Sequence, residues 1–347
     1  MLIRREPALV YFVPMESFSA IGTFMTVKRI FINLILVLGL LLAAYLLYKV
    51  FNRYSLDEII ASLGAIPKTR LMASLGFSAL SYLCLTGFDW MALRYAGRPL
   101  SYRRAAIASF TGLSIGHNLG VAALSSGAVR YRFYSRWGLN AQQVAKVILF
   151  CGVTVGIGLS TLAGLALLVN PGDTSNLFHI GSAGLVWMGI LCLLVPVAYV
   201  ILAGTVRSEL KLWRWSFEMP NVRLALGQII IGTLNFGFVA ACLHQLLSAS
   251  GDVNFIQTAT AYVLANVAVL VTHVPGGLGV LEATVNHVLP GSASIGALVA
   301  FRVVYFLLPL IIGLAVFGIS ELIFRKRKAT SSTKSAQDTT EAQAQSL

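Results

Sequence analysis

Charge is scarce in this chain. Asp, Glu, Lys and Arg make up 11% of its 347 residues and only 13 are acidic, against 57% hydrophobic residues and a mean hydropathy of +0.80. A soluble globular domain needs a more polar surface, so the composition excludes one. Short segments alternating between apolar and polar residues are also missing, which excludes a strand barrel. Cysteine is limited to Cys84, Cys151, Cys192 and Cys242. All four sit in apolar runs without paired spacing, so they read as packing residues and not as a disulfide framework or zinc site. His117, His179, His244, His273 and His287 show no metal-ligand spacing, and no nucleophile is grouped with a base. Neither a metal, a cofactor nor a catalytic centre is therefore expected.

Long hydrophobic runs fill the space that charge leaves. A helix needs about 20 residues to cross about 30 Å of hydrocarbon. Runs of that kind lie near Ile30 to Val50, Leu71 to Phe88, Val147 to Val169, Ala183 to Ala203, Leu224 to Leu247 and Leu298 to Ile323. Two further stretches, about Ala105 to Gly127 and Phe255 to Leu289, are apolar but broken by glycine and small polar residues. Read as ordinary spans, they give eight crossings. With a cytoplasmic N-terminus and Arg302 inside a span, the remaining basic residues then divide 13 inside and 12 outside, which is no bias. Read as re-entrant hairpins, they place 21 basic residues inside and four (Lys49, Arg53, Lys68, Arg70) outside. That is the distribution the positive-inside rule predicts. The expected fold is thus an all-α polytopic membrane protein of about six spans plus two re-entrant helical hairpins, with eight full spans as the alternative.

In this topology each half reads span, span, hairpin, span, and the halves (about 28–170 and 182–324) are inverted copies. Inverted repeats with broken helices near the bilayer midplane are a recurrent transporter architecture. Residues 1–27 form an N-terminal extension, since Met25-Thr26-Val27-Lys28-Arg29 is the more natural start. Residues 325–347 open with Arg325-Lys326-Arg327-Lys328 and read as a disordered cytoplasmic tail. Leu56, Ile59, Ile60 and Leu63 recur at helical spacing and predict a short interfacial helix on the outer face.

The break in the second hairpin is Thr272-His273-Val274-Pro275-Gly276-Gly277-Leu278-Gly279-Val280-Leu281-Glu282. Pro275 removes an amide donor, while Gly276, Gly277 and Gly279 permit backbone conformations closed to other residues. Unwound backbone at membrane depth survives only where protein or water satisfies it, so this tip should line a cavity. A helix restarting near Gly279 presents free amides, which favours an anion such as a phosphate headgroup. Glu282 either caps that helix, pairs with Arg302, or holds a cationic group of the substrate. A charge at the centre of a membrane helix costs about 2.5 to 3.5 kcal/mol on insertion scales, which favours the Glu282–Arg302 pair. Asn118 and Asn266 are candidates to hydrogen-bond the broken backbones. At the exit of the first hairpin, Arg130 and Arg132 are either interfacial charges or a phosphate-holding cradle. Asp89, beside Trp90, is read first as an interfacial charge and second as a partner for a cytoplasmic arginine.

Three segments carry a family resemblance: Ser126 to Gly138, Pro275 to Ala283, and Phe301-Arg302-Val303-Val304-Tyr305-Phe306-Leu307-Leu308-Pro309. Together they resemble the lysylphosphatidylglycerol synthase transmembrane family, over roughly Lys28 to Phe324. In its larger members the membrane part moves aminoacylated phosphatidylglycerol between leaflets, and a separate soluble domain makes the lipid. The resemblance therefore implies a stand-alone member of the bacterial inner membrane, with a cytoplasmic C-terminus and without synthase activity. It implies translocation of phospholipid, aminoacylated or otherwise anionic. Arg130, Arg132, Pro275, Gly276, Gly277, Gly279, Glu282 and Arg302 match its motif positions. Alternatives are an ion-coupled transporter of a small polar solute and a phosphatidylglycerol lysyltransferase-related protein acting with a separate synthase. The net charge of +13 lies in short clusters beside spans, which fits anionic phospholipid as partner and not nucleic acid. Homo-oligomerisation and a separate lipid-modifying enzyme remain open.

Overall fold

A computed structural model of the chain describes residues 56–118, 122–169, 181–206, 210–212, 215–272, 274–290 and 294–324. The expected first span, the N-terminal extension and the basic tail lie outside these residues. The described chain is helical apart from one small β-ribbon. Its elements are α1 (Leu56–Gly64), α2 (Lys68–Tyr95), α3 (Tyr102–Gly116), α4 (Ala122–Arg136), α5 (Ala141–Val169) and α6 (Ser182–Thr205). The ribbon follows, with β1 (Leu210–Leu212) antiparallel to β2 (Trp215–Phe217), and then α7 (Val222–Leu247), α8 (Phe255–Thr272), α9 (Val280–Val288) and α10 (Ile295–Phe324). Six helices, α2, α5, α6, α7, α8 and α10, are long and apolar enough to cross a membrane. The chain is a multi-pass membrane protein.

The central contact is between α2 and α7, which run antiparallel. Arg70 meets Gln245 near one end, Ser81 donates to Asn235 at mid-length (2.8 Å), and Gly227 abuts Met91 near the other. The Ser81–Asn235 bond joins residues 154 apart. The same spacing carries the start of α2 at Lys68 onto that of α7 at Val222, and the start of α5 at Ala141 onto that of α10 at Ile295. Glycine sets the closest approaches. A Cβ on Gly158 of α5 would stand 2.6 Å from the Cα of Gly232 in α7, so backbone packs on backbone there. A membrane interior offers no hydrophobic drive between helices, and small residues let van der Waals contact replace it.

Neither glycine-broken stretch is a continuous helix. α3 and α4 fold back on each other, with Gly112 against Ser126 and the Ser125 hydroxyl near the Gly116 carbonyl (3.5 Å). At 1.5 Å per residue each 15-residue arm is about 22 Å long, too short to cross. In the second hairpin α8 is 18 residues long and α9 only nine. The mouths lie at opposite ends of the bundle. Arg98, just past the end of α2, donates to Gly138 at the mouth of the first hairpin (3.0 Å). At the mouth of the second, Gly296 packs on Ser62 of α1, which precedes α2. The two hairpins thus open toward opposite ends of the bundle. α1 itself forms where the apolar spacing predicts it and packs on the start of α10.

Candidate functional site

The second break is a tight turn, Pro275–Gly277, in which Gly276 (φ 61°) and Gly277 (59°) are left-handed, followed by Gly279 at φ 85°. Side chains other than glycine resist that region. The turn leaves carbonyls without helical partners, and α10 supplies the donor they need. Arg302 gives Nη1 to the Gly276 carbonyl (2.8 Å) and Nη2 to the Gly277 carbonyl (2.9 Å). The same guanidinium grips Glu282, through Nε to Oε1 and through Nη2 to Oε2 (2.8 Å). Oε2 also accepts the Gly279 amide (2.9 Å), so Glu282 caps the start of α9. Capping and pairing, which the sequence offered as alternatives, are both present. The carboxylate of Glu282 is thus the anion at this helix start, the position the sequence reading offered to a phosphate.

Just after Arg302, α10 widens into a π-turn at Val303–Leu307, a local change that frees carbonyls from the helical ladder. Those carbonyls collect donors from elsewhere. Val304 accepts from Ser78 (3.3 Å), Tyr305 from the Tyr82 hydroxyl (3.3 Å), and Phe306 from Asn118 Nδ2 (3.5 Å). Asn118 also holds the Ser114 carbonyl (2.9 Å), so it ties the first tip both to its own arm and to α10. Its backbone oxygen lies 3.5 Å from where a Cβ on Gly276 would stand. The two hairpin tips, entering from opposite ends, therefore meet beside the π-turn. His117, the preceding residue, stacks on Tyr305 with ring centroids 6.5 Å apart. Asn266, the other candidate backbone donor, binds the Tyr262 hydroxyl instead (2.8 Å).

The two arginines proposed as a cradle are separated by burial. Arg130 is 3% exposed and forks onto Asp89, with Nε to Oδ2 at 2.9 Å and Nη2 to Oδ1 at 2.6 Å, while Nη1 reaches Ser126 (3.0 Å). Tyr134 and Ser109 also donate to Asp89, which is fully buried. Each nitrogen of this guanidinium makes a hydrogen bond within the protein, and the side chain lies away from the surface. Asp89 is correspondingly no interfacial charge but the partner of Arg130. Arg132, one face round on the same helix, is partly exposed and forks onto Glu321 through Nε and Nη2, both at 3.0 Å.

A family match decides the affiliation: the model of the lysylphosphatidylglycerol synthase TM region covers residues 36–313. The chain belongs to that family. It is 30% identical over 281 residues to the uncharacterized protein slr0712 of Synechocystis sp., covering 80% of this chain and 87% of that one. It is 26% identical over 269 residues to the inner membrane protein YbhN of Escherichia coli, covering 76% of this chain and 83% of YbhN.

All the site residues read from the sequence fall inside the region matched to the synthase TM family, and the structure divides them. Asn118, Gly276, Gly277, Gly279, Glu282 and Arg302 are assembled at the meeting of the tips, where Pro275 opens the second turn. Arg130 is built into the wall behind them, and Arg132 stands at the mouth of the first hairpin. Sequence reasoning missed Glu321, which lies beyond the family match and binds both Arg132 and Arg136. It also ranked Asp89 wrongly. The available signal was that Asp89 precedes the end of an apolar helix by almost two turns, and a carboxylate at that depth needs a cation.

Proposed function

We propose that this chain moves anionic glycerophospholipid between the leaflets of a bacterial inner membrane, with the basic end of the bundle and the C-terminus cytoplasmic. The observation that carries the reading is the contact of Asn118 with Gly276, where hairpins from opposite ends of the bundle meet beside a helix carrying a buried ion pair. The antiparallel α2–α7 contact and the 154-residue spacing support an inverted-repeat relation between the halves, in which one half rocks against the other. Passage requires the touching tips to part. Arg302 holds the second tip through two carbonyls and Glu282, so its release is the opening step. The headgroup enters beside Arg132.

The test is leaflet exchange of headgroup-labelled phosphatidylglycerol in proteoliposomes of the purified chain. Exchange well above that of protein-free vesicles is expected. Exchange at the protein-free rate, together with gradient-driven uptake of a small solute, replaces this reading with an ion-coupled carrier.

A further inference from the structure

Arg130 and Arg302 are engaged deep within the protein, whereas a second pair of arginines lies nearer the surface, at the mouth of the first hairpin. There Arg132 and Arg136, one turn apart on α4, both grip the single carboxylate of Glu321, in the last turn of the described part of α10. Arg132 forks onto the two oxygens, and Arg136 Nη2 lies 2.8 Å from Oε2. Two guanidinium charges on one carboxylate leave a net positive site. Moreover, Arg136 Nη1 is buried and has no hydrogen-bond partner among the described residues. A planar fork that holds a carboxylate also matches two oxygens of a phosphate, and a phosphodiester adds ester oxygens that a carboxylate lacks. The rim is aromatic and basic: Arg136 lies over Phe324 (4.6 Å) and the exposed Arg104 over Trp137 (5.9 Å). Such residues sit at headgroup depth in membrane proteins. The side chains of Arg132 and Arg136 are each 23% exposed and that of Glu321 15%, so the clasp is reachable from the surface.

We propose that Glu321 occupies the seat of a lipid phosphate, and that an anionic phospholipid binds here by displacing it from Arg132 and Arg136, with Arg104 at the rim. The inference rests on the lipid reading above and adds a regulatory element to it. Glu321 and Arg302 belong to the same helix. When a headgroup takes the arginines, the far end of α10 is freed from α4, and the helix that locks the second tip gains freedom to shift. Cargo at the mouth is thereby coupled to the lock at the tips.

The experiment is equilibrium binding of a fluorescent acyl-labelled phosphatidylglycerol, headgroup intact, to the full chain in neutral detergent. Wild type is compared with Glu321→Gln, Arg136→Gln and Arg132→Gln, each checked for folding by its thermal transition. Removing the internal competitor should tighten binding about two- to fivefold, the range set by a partly exposed ion pair, and removing either arginine should weaken it by a similar factor. Glu321→Asp, which keeps the charge on a shorter arm, supplies the readout if the glutamine variant does not fold, and it should fall between wild type and the expected tightening. Weakened or unchanged binding in the Glu321 variants overturns the proposal, because a merely structural carboxylate loses affinity or does nothing when removed. Inorganic phosphate should compete poorly. Competition as effective as that of unlabelled lipid assigns the site to free phosphate and overturns the lipid identity. The assay is independent of transport: tighter binding in Glu321→Gln with no leaflet exchange by wild type leaves the site standing and removes the translocation reading.

Discussion

Arg130 and Arg132 are two residues apart on one helix, yet their side chains answer to different physics. Arg130 is fully desolvated against Asp89, and removing one partner of such a pair leaves an uncompensated buried charge. We expect Asp89→Ala to destabilise the fold by about 3 to 5 kcal/mol. Arg132→Ala, which breaks a partly exposed pair, should cost no more than about 1 kcal/mol. Thermal unfolding of the two variants in detergent checks the contrast, and equal losses refute the assignment of burial. The Glu282–Arg302 pair was legible in the sequence because each charge stands alone in an apolar stretch, and such charges must find one another. Asp89 was obscured by lying close to an arginine-rich loop, where an interfacial reading is equally economical. Glu321 was hidden by the basic tail that begins four residues later, which makes any nearby carboxylate look like a surface charge.

At the scale of elements, glycine decides where helices touch and where they break. Gly158→Val places a branched side chain against the backbone of Gly232, which cannot yield as a side chain would. We expect loss of most folded protein on size-exclusion chromatography. Gly152→Val on the same helix, where a Cβ meets nothing within 4 Å, should be tolerated. Gly276→Ala is a milder case, with strain of about 1 to 2 kcal/mol from the left-handed conformation. It should lower the thermal transition by a few degrees and leave a folded protein. The turn at Pro275–Gly277 was legible because proline and glycine punctuate a helix wherever they occur. The π-turn at Val303–Leu307 was not: its residues are ordinary helix formers, and only the donors from Ser78, Tyr82 and Asn118, all distant in sequence, stabilise the freed carbonyls.

For the whole molecule, charge counting predicts two opposed hairpins with the basic clusters on one side, because basic residues avoid one side of the membrane whatever the helices do. The structure gathers Arg98, Arg132 and Arg136 around the mouth of the first hairpin, while Arg70 lies at the other end of α2. The antiparallel α2–α7 core was beyond reach of the sequence, since nothing in the order of spans says which two pack together. A cysteine at Ser135 should react with a membrane-impermeant maleimide only from the cytoplasmic side, and one at Asn254 only from the outer side. Labelling of both from one side contradicts the opposed arrangement.

The central claim is that two opposed tips, locked by Arg302, open to pass a phospholipid. Arg302→Lys keeps the charge but loses the planar fork that holds two carbonyls and Glu282 together. Leaflet exchange of headgroup-labelled phosphatidylglycerol, measured in proteoliposomes for wild type and Arg302→Lys at equal amounts of folded protein, is the direct test. Exchange well above protein-free vesicles is expected for wild type, and a rate higher by about tenfold or more for the variant, because losing one well-placed charged hydrogen bond weakens the closed state. Wild-type exchange no faster than in protein-free vesicles, or a rate in Arg302→Lys no higher than that of wild type, contradicts it.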